Sequence, residues 1–378
     1  MFWFERLVGI GIYLLALLFV CMLISKTRVS YKAVFRFYLV CLCIMAIFYE
    51  PYETADLYRI HGFIDYYSEL NFDYFIENHV IGSSIPAATM LYYIVGKSSI
   101  DSLISIISVL VCYSSLFYTI RKSQEKYNIS RENVAFTLFF LMITSAYMSV
   151  IGGIRMMIAI SLIVLCFYRE AVEGKFRLWH VFLYIVAALM HNMALFVIGI
   201  RFLAVIFNVA QKPKARFFSS VFIVGIVIMF VLNFESIMLD VYEKALWYLY
   251  EDNYVDNWEY LMGFLMIFLF IVLLIRYLQF RKEERYKSLI SYNFAMVFSA
   301  ILSLVFYYQF SIFYRFAGHL LPILMLPLLM IVLEKEDCGN GIFFARFSFK
   351  KTMLVYCLMI MALSFTRGSM SSLKFFAF

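Results

Sequence analysis

The chain has 378 residues, of which 64% are hydrophobic and 15% charged, with a mean hydropathy of +0.86. A soluble domain of this length has no use for so much apolar sequence, so the chain reads as an all-α polytopic membrane protein. The net charge of +7 fits basic residues that anchor cytoplasmic loops; without a Gly-rich phosphate loop, a GxSxG elbow, an HExxH pair or a nucleic-acid module, a nucleotide-driven pump, a soluble-type hydrolase and a nucleic-acid partner are disfavoured.

Apolar runs predict about 12 transmembrane helices (11–13), at 7–25, 34–49, 102–120, 133–150, 154–169, 178–193, 194–210, 217–233, 260–277, 289–307, 315–333 and 352–366, forming a single integral membrane domain over 1–378. The first run is followed by Lys26, Arg28 and Lys32 with no small-residue cleavage site, which predicts a retained helix. Basic residues cluster at 26–36, 121–131, 169–177, 212–216, 276–287 and 346–351, and acidic ones at 50–77 and 235–259. This alternation puts both termini and the acidic loops outside. The topology requires that 85–95 does not cross, so that segment is predicted to be re-entrant or interfacial. Six of the seven cysteines lie in apolar runs and show no disulfide framework or CxxC knuckle. No metal site and no cofactor is predicted.

Two outer loops are long enough to carry function. In 50–84, Phe63, Tyr67, Leu70 and Tyr74 recur at helical spacing while Asp65, Glu69, Asp73 and Glu77 recur every fourth residue. The pattern predicts an amphipathic helix on the membrane surface with its acidic line toward water. In 234–259, Trp247, Tyr250, Tyr254 and Trp258 stand among Glu251, Asp252, Asp256 and Asn257. Rings beside carboxylates and amides suit a carbohydrate, and the same residues suit an aromatic belt at the headgroups.

Ionisable residues inside apolar runs are functional-site candidates because each is costly unless paired or lining a cavity. Arg155 opens the run 154–169 and His191 lies near the end of 178–193, with a short charged turn between the two runs. At roughly 1.5 Å per residue both sit about 20 Å above the inner interface of a core about 30 Å thick. Arg155 reads either as functional or as half of a structural pair with a carboxylate, and His191 either as functional or as a satisfied core histidine. Arg315 begins an apolar run with His319 one turn on and Pro322 and Pro327 beyond it, and interfacial snorkelling is its alternative reading. Arg201 sits mid-run, which calls for a buried partner or a shifted boundary. Asp56 and Arg59 stand on the outer side in YETADLYRIHGF. Several arginines around an outward cavity suit an anionic substrate such as a diphosphate, whose developing charge they would neutralise, while a carboxylate or His191 takes a hydroxyl proton.

Three motifs, ETADLYR (53–59), GGIRMMIAI (152–160) and AALMHNMAL (187–195), give the chain a resemblance to the EpsG-like branch of bacterial exopolysaccharide and capsule polymerases, relatives of the Wzy polymerases. Gly152, Met156 and Met193 depart from the Asn, Gln and small hydroxyl residue common in that family, while Arg155 and His191 match it. The resemblance implies a GT-C-like membrane fold in the bacterial cytoplasmic membrane. It also implies an activity that joins undecaprenyl-diphosphate-linked oligosaccharides at the outer face, with a chain-length regulator and a flippase as candidate partners. On this reading Arg155, Arg315 and Arg59 bind diphosphate, Asp56 and His191 act on the acceptor hydroxyl with Arg155, and the 234–259 loop holds glycan. A flippase for the same lipid-linked sugar and a membrane O-acyltransferase are the rival readings, although no internal repeat of the kind flippases carry is visible.

Overall fold

The computed structural model describes residues 2–49, 51, 56–144, 147–207, 257–280, 283–307, 309–337 and 349–367. The predicted span 217–233 and the loop residues Trp247, Tyr250, Tyr254 and Asp256 lie outside these, as does the side chain of Trp258.

Most of each other predicted span is helical; Phe48–Tyr49, His191–Asn192 and Phe306–Tyr307 are not, and 145–146 and 208–210 lie outside the described residues. The helices are α1 (Phe2–Lys26), α2 (Tyr31–Ile47), α3 (Asp56–Glu69), α4 (Phe72–Phe75), α5 (Pro86–Ser98), α6 (Ser102–Tyr127), α7 (Arg131–Thr144), α8 (Tyr147–Gly152), α9 (Ile154–Ala171), α10 (Leu178–Met190), α11 (Met193–Phe207), α12 (Asn257–Phe280), α13 (Ile290–Val305), α14 (Phe310–Tyr314), α15 (Leu321–Asp337) and α16 (Phe349–Arg367). Among the described residues three helices are long and apolar enough to cross a membrane, Ser102–Tyr127, Tyr260–Gln279 and Phe310–Asp337, and shorter apolar helices accompany them. The helix over the segment 85–95 has 13 residues; at 1.5 Å per residue it is about 20 Å long, well short of a hydrocarbon core of about 30 Å.

Local chemistry sets the helix ends. Ser30 caps α2 by accepting the Ala33 amide at 3.3 Å. Pro86 opens α5 at a position where its missing N–H costs nothing. Asn128, at φ 54°, closes α6 in the left-handed conformation that asparagine tolerates. Between α14 and α15 the helix widens to a π-turn over Arg315–Leu320, next to Pro322, whose ring nitrogen cannot donate to the Gly318 carbonyl.

The helix over Phe310–Asp337 is the pillar of the bundle: 94% of its most apolar window is buried, against 39% for Tyr260–Gln279. It packs on α6, α7, α12 and α13. Several polar groups in this interior find backbone partners. Ser299 and Ser303 donate to carbonyls one turn back at 2.7 and 2.8 Å, and Tyr13 and Tyr147 reach the Met142 and Leu42 carbonyls on neighbouring helices at 2.7 and 2.5 Å. At one end of the bundle Arg131 donates to the Ile24, Thr27 and Val29 carbonyls, and Asn133 donates to Glu334 and Asp337 while accepting from Lys350 at 3.0 Å. These polar contacts tie the basic loops together. Asp56, Arg155 and the α3–α5 pair occupy the other end.

Helix α3 packs on α5, and α5 in turn on α10 and α6. The two helices touch closely at Gly96, where an added Cβ would lie 2.6 Å from the Ile64 carbonyl oxygen. Lys97 donates to the Ser68 and Leu70 carbonyls at 2.8 and 3.0 Å, closing the C-terminal end of α3. The predicted acidic line is exposed at Asp65, Glu69, Asp73 and Glu77. The predicted apolar residues fall on two sides of the segment. Leu57, Ile60, Ile64 and Tyr67 are the buried residues of α3, whereas Phe63 and Tyr74 are exposed. Beyond α3, which stops at Glu69, Asn71 is extended and Phe75 is buried with its ring stacked 4.2 Å from Tyr93.

Candidate functional site

Asp56 is the first residue of α3, where unpaired amides and the helix dipole favour an anion. Its carboxylate accepts from Arg59 at 3.2 Å and from Arg155, 99 residues on, at 3.2 and 3.4 Å. Arg155 reaches it from the first turn of α9, just past the interruption at Gly153 that separates α8 from α9. Backbone bonds cross that interruption, from the Gly153 amide to Ser149 and from the Met157 amide to Gly153, both at 2.9 Å. The interruption therefore sets a fixed angle, which aims Arg155 at α3.

Two guanidiniums meet one carboxylate, so the cluster carries a net positive charge, and the N-terminal dipole of α9 adds to it. Its side chains are reachable from the surface: Arg155 is 28% exposed, Asp56 36% and Arg59 69%. An ion pair in that setting exchanges partners readily, because water and an incoming anion both reach it. Tyr92 of α5 is buried beside the cluster, its hydroxyl within electrostatic range of Arg155, Asp56 and Tyr67 and, among the described residues, without a hydrogen-bond partner. Nothing in the spacing of the sequence singled it out from the chain's other tyrosines.

His191 is the extended residue that ends α10, and α10 lies against α9, the helix that Arg155 begins. Its Nδ1 accepts the Met193 amide at 3.1 Å. In the neutral ring that bond leaves the proton on Nε2, so the outward nitrogen is a donor. Arg315 lies at the start of the π-turn near His319, and among the described residues no ion pair or hydrogen bond joins it to Asp56, Arg59 or Arg155.

Arg201 has a buried partner. Its Nε donates to Glu170 at 2.9 Å, a second guanidinium nitrogen bonds the same oxygen, and the Nδ1 of fully buried His180 lies 3.3 Å from the other one. The Tyr184 ring covers the guanidinium at 5.3 Å. This cluster joins α9, α10 and α11 below the Asp56 site. Its sequence signal was the mid-run Arg201; Glu170 looks like an ordinary interfacial residue of the charged turn.

Comparison with protein families matches residues 91–376 to the EpsG family. The chain belongs to the EpsG family. No curated protein and no solved structure matches it. Membership makes this EpsG-family chain a membrane protein of the polysaccharide-polymerase type. The matched region holds Tyr92, Arg155, His191, Arg201 and Arg315, whereas Asp56, Arg59 and the whole of α3 precede it. The site thus pairs a family-matched arginine with a carboxylate from a segment outside the match.

Proposed function

We propose that this EpsG-family chain is a polysaccharide polymerase of the bacterial cytoplasmic membrane, with about 12 spans in a GT-C-like arrangement. It would transfer a growing glycan from undecaprenyl diphosphate onto a lipid-linked repeat unit at the outer face. The observation that carries the reading is the surface-reachable, net-positive cluster of Asp56, Arg59 and Arg155. In the resting arrangement Asp56 holds both arginines in place. An arriving donor diphosphate takes Arg155 and Arg59 from it by charge-assisted contacts that suit the two-pronged guanidinium.

That exchange releases Asp56 to do chemistry. The acceptor hydroxyl oxygen attacks the anomeric carbon of the donor chain, and Asp56 takes the hydroxyl proton. The bond from that carbon to the phosphate oxygen breaks, and its electron pair leaves with undecaprenyl diphosphate. Arg155 neutralises the developing charge, helped by the Nε2–H of His191, with Arg315 on a further phosphate oxygen. A cofactor is not needed, because the donor is already activated. The 234–259 loop, with Trp247, Tyr250, Tyr254, Asp256 and Trp258, would hold the far end of the glycan, and a flippase and a chain-length regulator would be its partners.

The test is to extract lipid-linked oligosaccharides from a deletion strain. Single complete repeat units stranded on the outer face are expected, and Arg155→Ala should reproduce them. Units trapped on the inner face would make the chain an exporter, and normal polymer lacking an acyl group would make it an acyltransferase.

A further inference from the structure

Helix α3 turns one face inward and leaves the opposite face exposed. Leu57, Ile60, Ile64 and Tyr67 are buried, and at 3.6 residues per turn the outward stripe is Tyr58, Gly62, Asp65, Tyr66 and Glu69. All five are exposed, the tyrosines at 49% and 48%. Gly62 is the informative member. Glycine is the poorest helix former after proline, so a mid-helix glycine calls for a reason. At Gly96 the reason is the close approach of α3, but at Gly62 an added Cβ would find no atom of the described residues within 4 Å. Helix packing therefore does not require it.

What Gly62 does is remove a side chain midway between Tyr58 and Tyr66, one turn to either side on the same face. The result is a notch of uncovered backbone between the Tyr58 and Tyr66 positions, about 12 Å apart by helical rise, with the Tyr66 ring in T-shaped contact with His79 at 5.5 Å. Asp65 and Glu69 stand at its border. Ring faces cover the apolar side of a pyranose, and carboxylates accept hydroxyl or ammonium hydrogens. The surroundings add a charge preference: residues 56–101 hold six acidic and two basic residues, and Arg155 at Asp56 brings the cations to three. That balance repels uronic acids, and it equally opposes burial of this face in anionic headgroups.

We propose that the outward face of α3 is an oligosaccharide cradle that accepts neutral or amino-bearing sugars and rejects uronic acids. The proposal rests on the polymerase reading in one respect: the notch begins two residues from Asp56, so a glycan lying in it runs on from a diphosphate held at Arg155. It goes further in naming the sugar class and placing the selection on a helix outside the family-matched region.

The test uses the full-length chain in nanodiscs, titrated with tetrasaccharides of glucosamine, galactose and galacturonic acid. The first two are expected to bind and galacturonate to bind about tenfold more weakly. Gly62→Leu, which fills the notch, should weaken glucosamine binding by about tenfold, as should Tyr58→Ala with Tyr66→Ala. Gly62→Ala should leave the thermal midpoint unchanged or raise it. Wild-type affinity in Gly62→Leu overturns the cradle, equal galacturonate binding overturns its selectivity, and no binding of any of the three glycans leaves α3 a membrane-surface helix. Failure here is separable from failure of the polymerase reading. Normal polymer from Gly62→Leu cells, with Arg155→Ala inactive, removes the cradle alone; glycan binding by a chain that makes no polymer removes the polymerase alone.

Discussion

Exchanging two charges, Asp56→Arg with Arg155→Asp, separates structure from chemistry at the candidate site. The pair sits at 3.2 Å with its side chains 36% and 28% exposed, so solvent screens it and its coupling is about 1 kcal/mol. In a chain of this size either single substitution should lower the thermal midpoint by about 2 °C, and the exchanged pair should recover most of that loss. Chemistry obeys a different rule. A guanidinium that neutralises a leaving diphosphate contributes about 2.7 kcal/mol or more, roughly a hundredfold in rate. The exchanged variant moves that cation to α3 and puts an anion in its place, so its polymerisation should stay down by about a hundredfold while its stability returns. The assay is polymer formation from a lipid-linked repeat unit in proteoliposomes, with thermal unfolding followed on the same preparation. Restoration of both polymer and stability would show that the pair only holds α3 against α9, and would refute the role given to Arg155.

Other positions make their own demands. Arg201→Ala or Glu170→Ala strands a buried charge and should cost about 3–5 kcal/mol, read as loss of folded protein in detergent, while Arg201→Met with Glu170→Leu should recover most of it. Gly96→Ala pushes a methyl group toward the Ile64 carbonyl and should loosen α3 from α5, seen as faster proteolysis in the α3–α5 connection; unchanged cleavage would mean the two helices slide at no cost. Burial holds His61 below the usual histidine range in spite of Asp101 and Asp65, so the folded chain prefers the neutral ring. The unfolded chain then takes up a proton first as pH falls through about 6.5, and stability that is complete above that value declines below it. His61→Gln should flatten this decline in thermal midpoints measured between pH 7 and pH 5.

The helices were legible in the sequence because lipid leaves backbone polar groups no partner but their own segment, which makes each span a long apolar run. Arg155 and His191 were legible for a related reason, since ionic and polar groups stand out against such a background, whereas Asp56 stood among the other charged and polar residues of YETADLYRIHGF. The bond between Asp56 and Arg155 was not, since 99 residues separate them and no local spacing encodes that meeting. Glu170 stayed hidden in a turn that looked interfacial, and only the depth of Arg201 betrayed a missing anion. The end of α3 at Glu69 was not legible, because the apolar spacing of Phe63, Tyr67, Leu70 and Tyr74 runs straight across it. Tyr92 is one of 29 tyrosines, and only its place beside Arg155 and Asp56 sets it apart.

The pillar over Phe310–Asp337 also bears on how the chain is made. Two of its neighbours, α6 and α7, are complete by residue 144, well over a hundred residues before the pillar leaves the ribosome. Until it arrives, the surfaces that will enclose it face lipid or one another, and an apolar helix loses little by waiting in either setting. The early bundle must therefore keep a place open for a late segment, and it closes when Glu334 and Asp337 reach Asn133. A chain that stops before residue 310 would insert its helices and never acquire a centre.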